Sequence, residues 1–493
     1  MKLQVKFLKW SAGIPVAILN EKTASQIGVR AQDRIAIETN SGNPKKFFTI
    51  IDTVKSLAKE GEIIVSSELK EMLNLKENQE VDVNIASLPK SILSIQKKLN
   101  KQSLNEVEIA EIIKDITNNF LSEAEIALFV SAMYKQGMTM KETIFLIKAI
   151  LKTGKTLKFK GKYVADKHSI GGIPGNRTTP LVVSICVAAG LTMPKSSSRA
   201  ITTSAGTADV IETIARVDFT REEIKKIVQK TNACLVWGGG LGLVPADSKI
   251  IRIEKTLKID PEAQLLASIM AKKIAMGSKY ILIDIPYGVG AKVTKERGLK
   301  LKKKFEYLGK YFNKKLICIL TDGSQPIGNG VGPALELLDI LKILDPTKRG
   351  PRDLEDKALL LSGKLLEMTG KAKKGKGPIL AMDMLDSGKA LEKFKEIIKA
   401  QGGNINRIPI AKYSKTIFFK KSGKIIQLEN KLINSLARVL GCPADKAAGL
   451  YLYHHVGDEV KKKDKFVTLF SESKQRLKEG IKFLKQNQIV ILR

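Results

Sequence analysis

The fold is decided by one stretch of the chain, residues 166–212, which reads DKHSIGGIPGNRTTPLVVSICVAAGLTMPKSSSRAITTSAGTADVIE. It holds two loops rich in small and hydroxyl-bearing residues, KHSIGGIPGN at 167–176 and SSSRAITTSAGT at 196–207. Between the loops, Pro180 fits the first turn of a helix, and Leu181–Ala189 is mostly apolar without glycine or further proline. The stretch therefore predicts a buried helix that separates two polar loops.

The composition of both loops favours anion binding. Gly171 and Gly172 let the backbone approach a ligand closely, and N–H groups at a helix start carry partial positive charge. Hydroxyl groups add neutral donors, while Lys167 and Arg199 add charged ones. A surface loop whose Ser and Thr residues only cap helices is the structural alternative. Neither loop fits the Walker A pattern or the strand–GxGxxG–helix fingerprint, so those two types of nucleotide site are excluded.

The same residues resemble those of the thymidine phosphorylase family of nucleoside phosphorylases, whose members share the DKHS-x-GG loop. The similarity is greatest to the archaeal branch of that family that acts on AMP, where the second loop reads SSRAIT followed by GTAD. Here those motifs are Ser197–Thr202 and Gly206–Asp209, and the resemblance covers roughly residues 90–490. It implies a pentosyltransferase that converts AMP and inorganic phosphate to adenine and ribose 1,5-bisphosphate, with CMP and UMP as alternative substrates and no cofactor.

The resemblance also implies roles for individual residues. From the AMP branch it implies that Asp260 donates a proton to the leaving base. From the same branch it implies contacts with AMP at Gly172, Ser198, Arg199, Ala200, Ile201, Thr202, Thr203, Thr207, Ser268 and Lys292. From the pyrimidine relatives it implies phosphate ligands at Lys167, Ser169 and Thr207, and base contacts at His168, Ser268 and Lys272. Which loop holds inorganic phosphate and which holds the 5′-phosphate is left open.

Other reactions of related proteins stay as alternatives. Thymidine phosphorylase is the same-class alternative, and the requirement for a 5′-phosphate distinguishes the two. Pyrimidine relatives place an arginine shortly before the Ser…Lys helix, where this chain has Glu254 and Lys255, which counts against a thymidine enzyme. Anthranilate phosphoribosyltransferase has a similar architecture but needs pyrophosphate–Mg²⁺ chemistry, and no acidic pair is obviously placed for it.

The domain organisation follows from length and patterning. A chain of 493 residues exceeds one hydrophobic core, and we expect an α/β multidomain fold. Short β-branched runs predict a β-rich N-terminal domain, and helix-start signals at Asn105, Ser122 and Thr139 predict a helical subdomain. The N-terminal domain shows no catalytic cluster, so oligomerisation or packing is its expected role, and the resemblance implies oligomerisation. The expected limits are 1–86 for the β-rich domain, 87–160 for the helical subdomain joined in space by about 246–277, 161–407 for the α/β phosphate- and nucleotide-binding domain, and 408–493 for the C-terminal α+β domain.

Later segments predict further parts of the site. The segment Asp260–Gly277 predicts a helix with Pro261 at its first position. Because Ser268 and Lys272 are four residues apart, they share one face of this helix. A structural N-cap is the alternative role for Asp260. Tyr280–Pro286 and Ile317–Leu320 predict buried strands, and ligands bind at the carboxyl ends of parallel strands, where Lys292 follows. Lys371–Gly377 predicts a flexible linker-like bridge.

The charge balance has consequences for partners. With 84 basic and 50 acidic residues the net charge is +34, which attracts phosphorylated substrates. Because aromatic residues make up only 5% and the lysines are scattered, we expect no specific nucleic-acid partner. The resemblance implies the partners: a nucleotide substrate and further copies of the chain, as a homodimer or higher homo-oligomer.

Cysteine usage and apolar runs bear on compartment and metals. The four cysteines form no CxxC pair and there are only three histidines, so we expect no metal site and buried free thiols. The start, MKLQVKFLKW, lacks the apolar region of a signal peptide, and the longest apolar run is too short to span a bilayer. These features predict a cytoplasmic protein without a membrane partner.

Overall fold

The computed structural model describes residues 1–8, 15–40, 44–86, 88–200 and 203–493. These residues divide into two compact units. The first contains residues 1–154 and 245–268, and the second contains residues 155–244 and 269–493. Each unit mixes helices and strands, which confirms the α/β multidomain class. The domain limits expected from the sequence stay predictions.

The N-terminal part of the first unit is a closed barrel with strand order β1-β5-β2-β4-β3-β6. Its strands are β1 (Lys2–Phe7), β2 (Val16–Asn20), β3 (Arg34–Thr39), β4 (Lys46–Val54), β5 (Glu62–Val65) and β6 (Glu80–Ile85). Two short helices connect strands, α1 (Glu21–Ile27) and α2 (Ser67–Leu73). Alternate strand residues such as Leu3, Val5 and Ile63 fill the interior, as expected for period-two patterning. Each predicted β-branched run forms one of these strands.

In the helical part of the first unit, a helix starts after each residue at which a capping box was predicted. The helices are α3 (Ser91–Leu99), α4 (Glu106–Thr117), α5 (Glu123–Gln136) and α6 (Met140–Thr153). The side chains of Asn105, Ser122 and Thr139 each accept the backbone N–H of a glutamate three residues later. The side chain of that glutamate accepts the backbone N–H of the capping residue. These reciprocal bonds satisfy N–H groups that a helix start otherwise leaves unpaired.

The second unit opens with parallel strands and the buried helix. Its first elements are β7 (Ala165–Ser169), α7 (Thr178–Ala188), β8 (Met193–Ser197), α8 (Thr207–Ile211), α9 (Arg221–Thr231) and β9 (Ala233–Trp237). Helix α7 is buried from Thr178 to Val187, which confirms the helix predicted between the two loops. Thr220 starts α9 with a further capping box.

Two helices follow β9 in the chain. They are α10 (Pro245–Leu257) and α11 (Glu262–Ala275). Helix α11 starts at Glu262, and the carbonyl of Pro261 accepts the N–H of Leu265 (2.9 Å). The helix predicted over this segment is confirmed, and both roles considered for Asp260 stay predictions.

The remainder of the α/β layer completes a parallel sheet. The elements are β10 (Tyr280–Tyr287), α12 (Lys295–Tyr311), β11 (Lys315–Asp322), β12 (Gly330–Val331), α13 (Pro333–Leu344), α14 (Arg352–Thr369), α15 (Gly377–Asp386) and α16 (Lys389–Ala400). Strands β11, β10 and β7 pair in parallel in that order. On the other side of β7, the Ala165 N–H donates to the Thr192 carbonyl (2.8 Å) just before β8, which pairs in parallel with β9.

The segment Lys371–Gly377 is not a bridge between domains. It is a turn between α14 and α15, two helices of the same unit that pack together. Glu367 accepts the N–H groups of Gly375 (2.9 Å) and Gly377 (3.2 Å), which ties the turn to α14. The linker interpretation was wrong because glycine and lysine content does not reveal a carboxylate eight residues earlier.

The C-terminal part of the second unit combines two antiparallel sheets with two helices. Its elements are β13 (Tyr413–Phe418), β14 (Gly423–Leu428), α17 (Asn430–Leu440), β15 (Gly449–Leu452), β16 (Glu459–Val460), β17 (Lys465–Ser471), α18 (Lys474–Gln486) and β18 (Val490–Leu492). The sheets run β12-β15-β17-β13 and β16-β14-β18. The apolar side of α17 packs into the core between them, with Ile433, Leu436 and Leu440 fully buried.

Candidate functional site

The DKHS residues lie at the carboxyl end of β7, beside β10 in the parallel sheet. Lys167 is buried, and its Nζ donates to Thr178 Oγ1 (2.6 Å) at the start of α7. Burial lowers the pKa of Lys167 to about 8, opposed by the carboxylate of Asp284. Within the first loop, Ser169 Oγ accepts the N–H of Gly171, with 3.5 Å between oxygen and nitrogen.

A buried carboxylate that the sequence did not reveal, Asp284, lies beside Lys167. Asp284 on β10 accepts the hydroxyl of Thr321 (2.6 Å) and lies 3.3 Å from Lys357 Nζ on α14. Burial alone would raise the pKa of Asp284, but the ammonium groups of Lys357 and Lys167 hold it below its ordinary value. The carboxylate thus balances two buried cations at the end of the sheet.

Asp166 joins β7 to two neighbouring elements through ion pairs. Its carboxylate contacts Lys195 on β8 (3.0 Å) and Lys273 on α11 (2.8 Å), and all three side chains are almost completely buried. Lys195 also donates to the carbonyl of Lys167 (2.8 Å). We call Asp166, Lys195 and Lys273 the buried ion cluster. It holds in place the strand that carries the candidate site residues.

His168 stands next to this cluster and is half-buried. Burial holds the pKa of His168 well below its ordinary value, and the ammonium groups of Lys273, Lys195 and Lys272 lower it further. His168 is therefore neutral at physiological pH, with one ring nitrogen as donor and the other as acceptor. Such a ring can contact a base edge without adding charge.

The second loop is shaped by carboxylates of α8 and of the turn that follows it. Asp209 accepts the N–H groups of Ala200 (2.7 Å) and Gly206 (2.8 Å). A side chain at Gly206 would meet the Ser198 carbonyl at 2.4 Å, so only glycine allows this close approach. These contacts explain the GTAD motif structurally. Ile201 and Thr202, which the resemblance assigns to AMP binding, lie outside the described residues.

Arg199 has a carboxylate partner in this structure. Its guanidinium makes two hydrogen bonds of 2.6 Å to Glu212 and lies 4.9 Å from the ring centroid of Trp237. The bond to Glu212 raises the pKa of Arg199. The predicted contact of Arg199 with AMP stays a prediction.

Arg177, which sequence reasoning passed over, connects the two loops. It donates to Thr207 Oγ1 (3.3 Å), to the Ala205 carbonyl (2.8 Å) and to Glu336 on α13. Burial raises the pKa of Glu336 despite the nearby guanidinium. The GNRTTP motif of the first loop contained a signal, a lone arginine just before a buried helix, that could have identified it.

The first loop and the loop after β10 meet in a cavity of about 290 Å³. It is lined by Gly172, Gly290, Ala291, Lys292, Lys431, Asn434, Ser435 and Arg438. Gly172 has φ +98°, and a side chain there would meet Lys292 Cβ at 3.4 Å. The predicted residues Gly172 and Lys292 are thus brought together. We call this the cationic cavity.

Helix α17 supplies the wall of the cationic cavity that the sequence analysis missed. Asn434 Oδ1 accepts the N–H of Ser204 (3.0 Å), and Arg438 donates to the carbonyl of Thr203 (3.1 Å), so α17 contacts the second loop. The polar side chains Lys431, Asn434, Ser435 and Arg438 recur at helical spacing, which was a readable signal.

Asp260 and Ser268 belong to the first unit, whereas Lys272 belongs to the second with the loops and the cavity. Asp260 is half-buried and Ser268 is buried. Their predicted roles stay predictions.

Metal and membrane features can be stated for the part of the chain that the structure describes. There, no group of three or more His, Cys, Asp or Glu residues is placed to hold a metal ion. The helices of that part include none long and apolar enough to cross a bilayer. Cys186, Cys234, Cys318 and Cys442 are buried free thiols, as predicted.

Comparison with protein families matches most of the chain after the barrel. Residues 94–154 match the helical bundle domain of the glycosyl transferase family, and residues 161–391 match its α/β domain. Residues 425–490 match the pyrimidine nucleoside phosphorylase C-terminal domain.

Curated relatives match almost the whole length. The AMP phosphorylase of Methanococcus aeolicus is 42% identical over 98% of this chain and 96% of its own length. Those of Thermococcus kodakarensis and Pyrococcus furiosus are each 43% identical over the same shares. Among solved structures, anthranilate phosphoribosyltransferase of Thermus thermophilus superposes with a TM-score of 0.53 at 16% identity. It covers 63% of this chain and 99% of its own, a likeness of fold alone.

Proposed function

Since the chain belongs to the AMP phosphorylase family, we propose that it catalyses phosphorolysis of AMP to adenine and ribose 1,5-bisphosphate. CMP and UMP are further candidate substrates. One observation of this structure supports the proposal above the others. Gly172 and Lys292 meet in a cationic cavity beside the carboxyl end of β7, where Lys167 and His168 lie. A nucleotide and inorganic phosphate are both anions, and such a site suits both.

The chemistry requires positive charge in a particular arrangement. Phosphate attacks C1′ of the ribose while the bond to the base breaks, so negative charge is present on the nucleophile and develops on the leaving base. Two anions held close together repel each other unless cations lie between them. Lys167 in the first loop is a candidate ligand of inorganic phosphate, and Lys292 is a candidate ligand of the 5′-phosphate. Preorganised cations of this kind stabilise the charge-separated transition state.

The leaving base needs a proton or a hydrogen-bond donor. We propose Asp260 as the proton donor, and Ser268, Lys272 and neutral His168 as contacts of the base. Asp260→Asn should lower kcat by about 10²–10⁴-fold, the usual contribution of general acid catalysis. Steady-state kinetics with AMP measures this, and normal turnover with a lower melting temperature would make Asp260 a structural residue.

The reaction as proposed needs inorganic phosphate as co-substrate and no other cofactor, because neither attack by phosphate nor departure of a protonated base requires redox chemistry or a covalent enzyme intermediate. Activity should survive dialysis against a chelator. Complete loss that a divalent cation restores would contradict this.

Phosphate-dependent release of base tests the proposal directly. AMP and thymidine are incubated separately with the protein, with and without phosphate, and free base is quantified. We expect adenine from AMP only when phosphate is present, and little thymine from thymidine. Thymine release without need of a 5′-phosphate would favour the thymidine phosphorylase alternative, which the relatives do not support.

The assembly and location belong to the proposal as well. We propose a homodimer or higher homo-oligomer in the cytoplasm, with the barrel at 2–85 contributing to assembly. Light scattering of the full chain and of a chain lacking residues 1–86 tests this. If both chains form assemblies with the same number of subunits, the barrel does not contribute to the interface.

A further inference from the structure

One wall of the cationic cavity consists of a single helical face. Lys431, Asn434, Ser435 and Arg438 of α17 lie at spacings i, i+3, i+4 and i+7, so they form one stripe along the helix. The opposite stripe is apolar and buried in the C-terminal core. Packing of the apolar stripe therefore fixes which side chains face the cavity.

The helix is held by its own contacts against the second loop and against the loops that follow β10 and β11. Asn434 and Arg438 bond to the backbone of Ser204 and Thr203 in the second loop. At the start of α17, Asn430 Nδ2 donates to the Gly323 carbonyl (2.9 Å), and its Cβ lies 3.4 Å from where a side chain at Gly290 would begin. These contacts are made by the chain's own groups, and a helix held in this way loses little freedom when a ligand binds.

The charged side chains that line the cavity suit an anion. Lys292, Lys431 and Arg438 are cations, and the residues that line the cavity include no carboxylate within the described chain. Lys431 and Arg438 are exposed, whereas Lys167 at the end of β7 is buried. The attacking phosphate must reach C1′ away from bulk water, which suits the buried position of Lys167. The 5′-phosphate is attached at the other end of the ribose, which suits the open cavity.

We propose that Lys431 and Arg438 bind the 5′-phosphate of the substrate together with Lys292. The C-terminal helix then determines the preference for a nucleotide over a nucleoside. This inference rests on the proposed function, because inorganic phosphate offers the same chemistry as a phosphate monoester. The test must therefore separate the two phosphate sources.

The experiment compares Lys431→Ala with Lys482→Ala, which removes an exposed lysine from α18 away from the cavity. For Lys431→Ala we expect kcat/KM for AMP to fall about 10-fold or more, the usual effect of losing a charged hydrogen bond, with KM for inorganic phosphate within about twofold of wild type. Arg438→Gln should behave in the same way. Lys431→Arg should restore most of the activity, and Lys482→Ala should match wild type.

Calorimetric titration with AMP, adenosine and inorganic phosphate accompanies the kinetics. Weaker AMP binding by Lys431→Ala, with phosphate binding unchanged and the melting temperature retained, supports the inference. A loss confined to inorganic phosphate, an equal loss for both anions, or no change in AMP binding each overturns it. If wild-type protein binds AMP but releases no adenine, the proposed function is wrong. The comparison of AMP binding by wild type and Lys431→Ala still tests the inference about the 5′-phosphate.

Discussion

The buried ion cluster and the cationic cavity use lysine in opposite ways within the second unit. In the cluster, Lys195 and Lys273 are at most 4% exposed and share the carboxylate of Asp166. In the cavity, Lys431 and Arg438 are exposed and no carboxylate belongs to the described lining. Removing a charge from water is costly unless it is paired, so the buried cations require Asp166 for folding. The exposed cations stay hydrated, so their burial imposes no such requirement.

Asp166→Asn should have the largest effect on stability. It leaves two buried ammonium groups facing a neutral amide, and breaking a buried pair in this way costs about 3–5 kcal/mol. Urea unfolding at neutral pH measures the change. The double variant Asp166→Asn, Lys273→Met should recover part of the loss, because one uncompensated charge is gone. A single variant as stable as wild type would show that the cluster does not depend on its counter-charge.

Lys292→Ala should affect function far more than stability. If Lys292 binds the 5′-phosphate, kcat/KM for AMP should fall about 10- to 100-fold, while any activity on adenosine should change little. The melting temperature should fall much less than for Asp166→Asn. Lys300→Ala, an exposed lysine on α12, serves as the matched control. Equal losses for nucleotide and nucleoside would remove Lys292 from the phosphate site.

Lys167 combines properties of both groups, since it is buried and a candidate phosphate ligand. Its pKa of about 8 predicts that kcat/KM for inorganic phosphate falls about tenfold per pH unit above that value, because the neutral amine cannot attract the anion. Stability should move in the opposite direction. The unfolded lysine keeps its proton up to about 10.4, so between pH 8 and that value the unfolded chain binds more protons and this group's contribution to stability rises with pH.

The pH profile of Lys167→Arg checks this assignment. A guanidinium stays protonated throughout this range, so the decline above pH 8 should disappear if the variant retains measurable activity. An unchanged decline would assign it to another group.

Asp356→Asn should have the smallest effect. Arg352 and Asp356 form a pair at 3.8 Å whose side chains are 92% and 66% exposed. Water and salt screen such a pair, so the melting temperature should stay close to wild type. If the melting temperature falls as much as for Asp166→Asn, burial does not determine how much an ion pair contributes to stability.

Local signals in the sequence were sufficient for much of the architecture. The barrel strands, the capping boxes at Asn105, Ser122 and Thr139, the buried helix α7 and the parallel strands β10 and β11 all follow from spacing of a few residues. The composition of the first loop likewise indicates an anion site, the resemblance adds Lys292, and the structure brings Gly172 and Lys292 together in one cavity.

Contacts between distant residues were the part that spacing could not predict. The glycine-rich turn at Lys371–Gly377 depends on Glu367, and Arg199, expected to be a ligand of substrate, bonds to Glu212. Helix α17 carries a readable polar stripe, but nothing local places it beside loops more than 200 residues earlier.

The sequence by itself determined the element types, the two polar loops and the family resemblance, because helix caps, period-two strands and loop motifs act over a few neighbouring residues. Only the tertiary structure decided which cations are neutralised and which face a cavity. Charge pairing depends on distances between atoms that folding brings together, as when Lys273 on α11 and Lys195 on β8 meet the one carboxylate of Asp166.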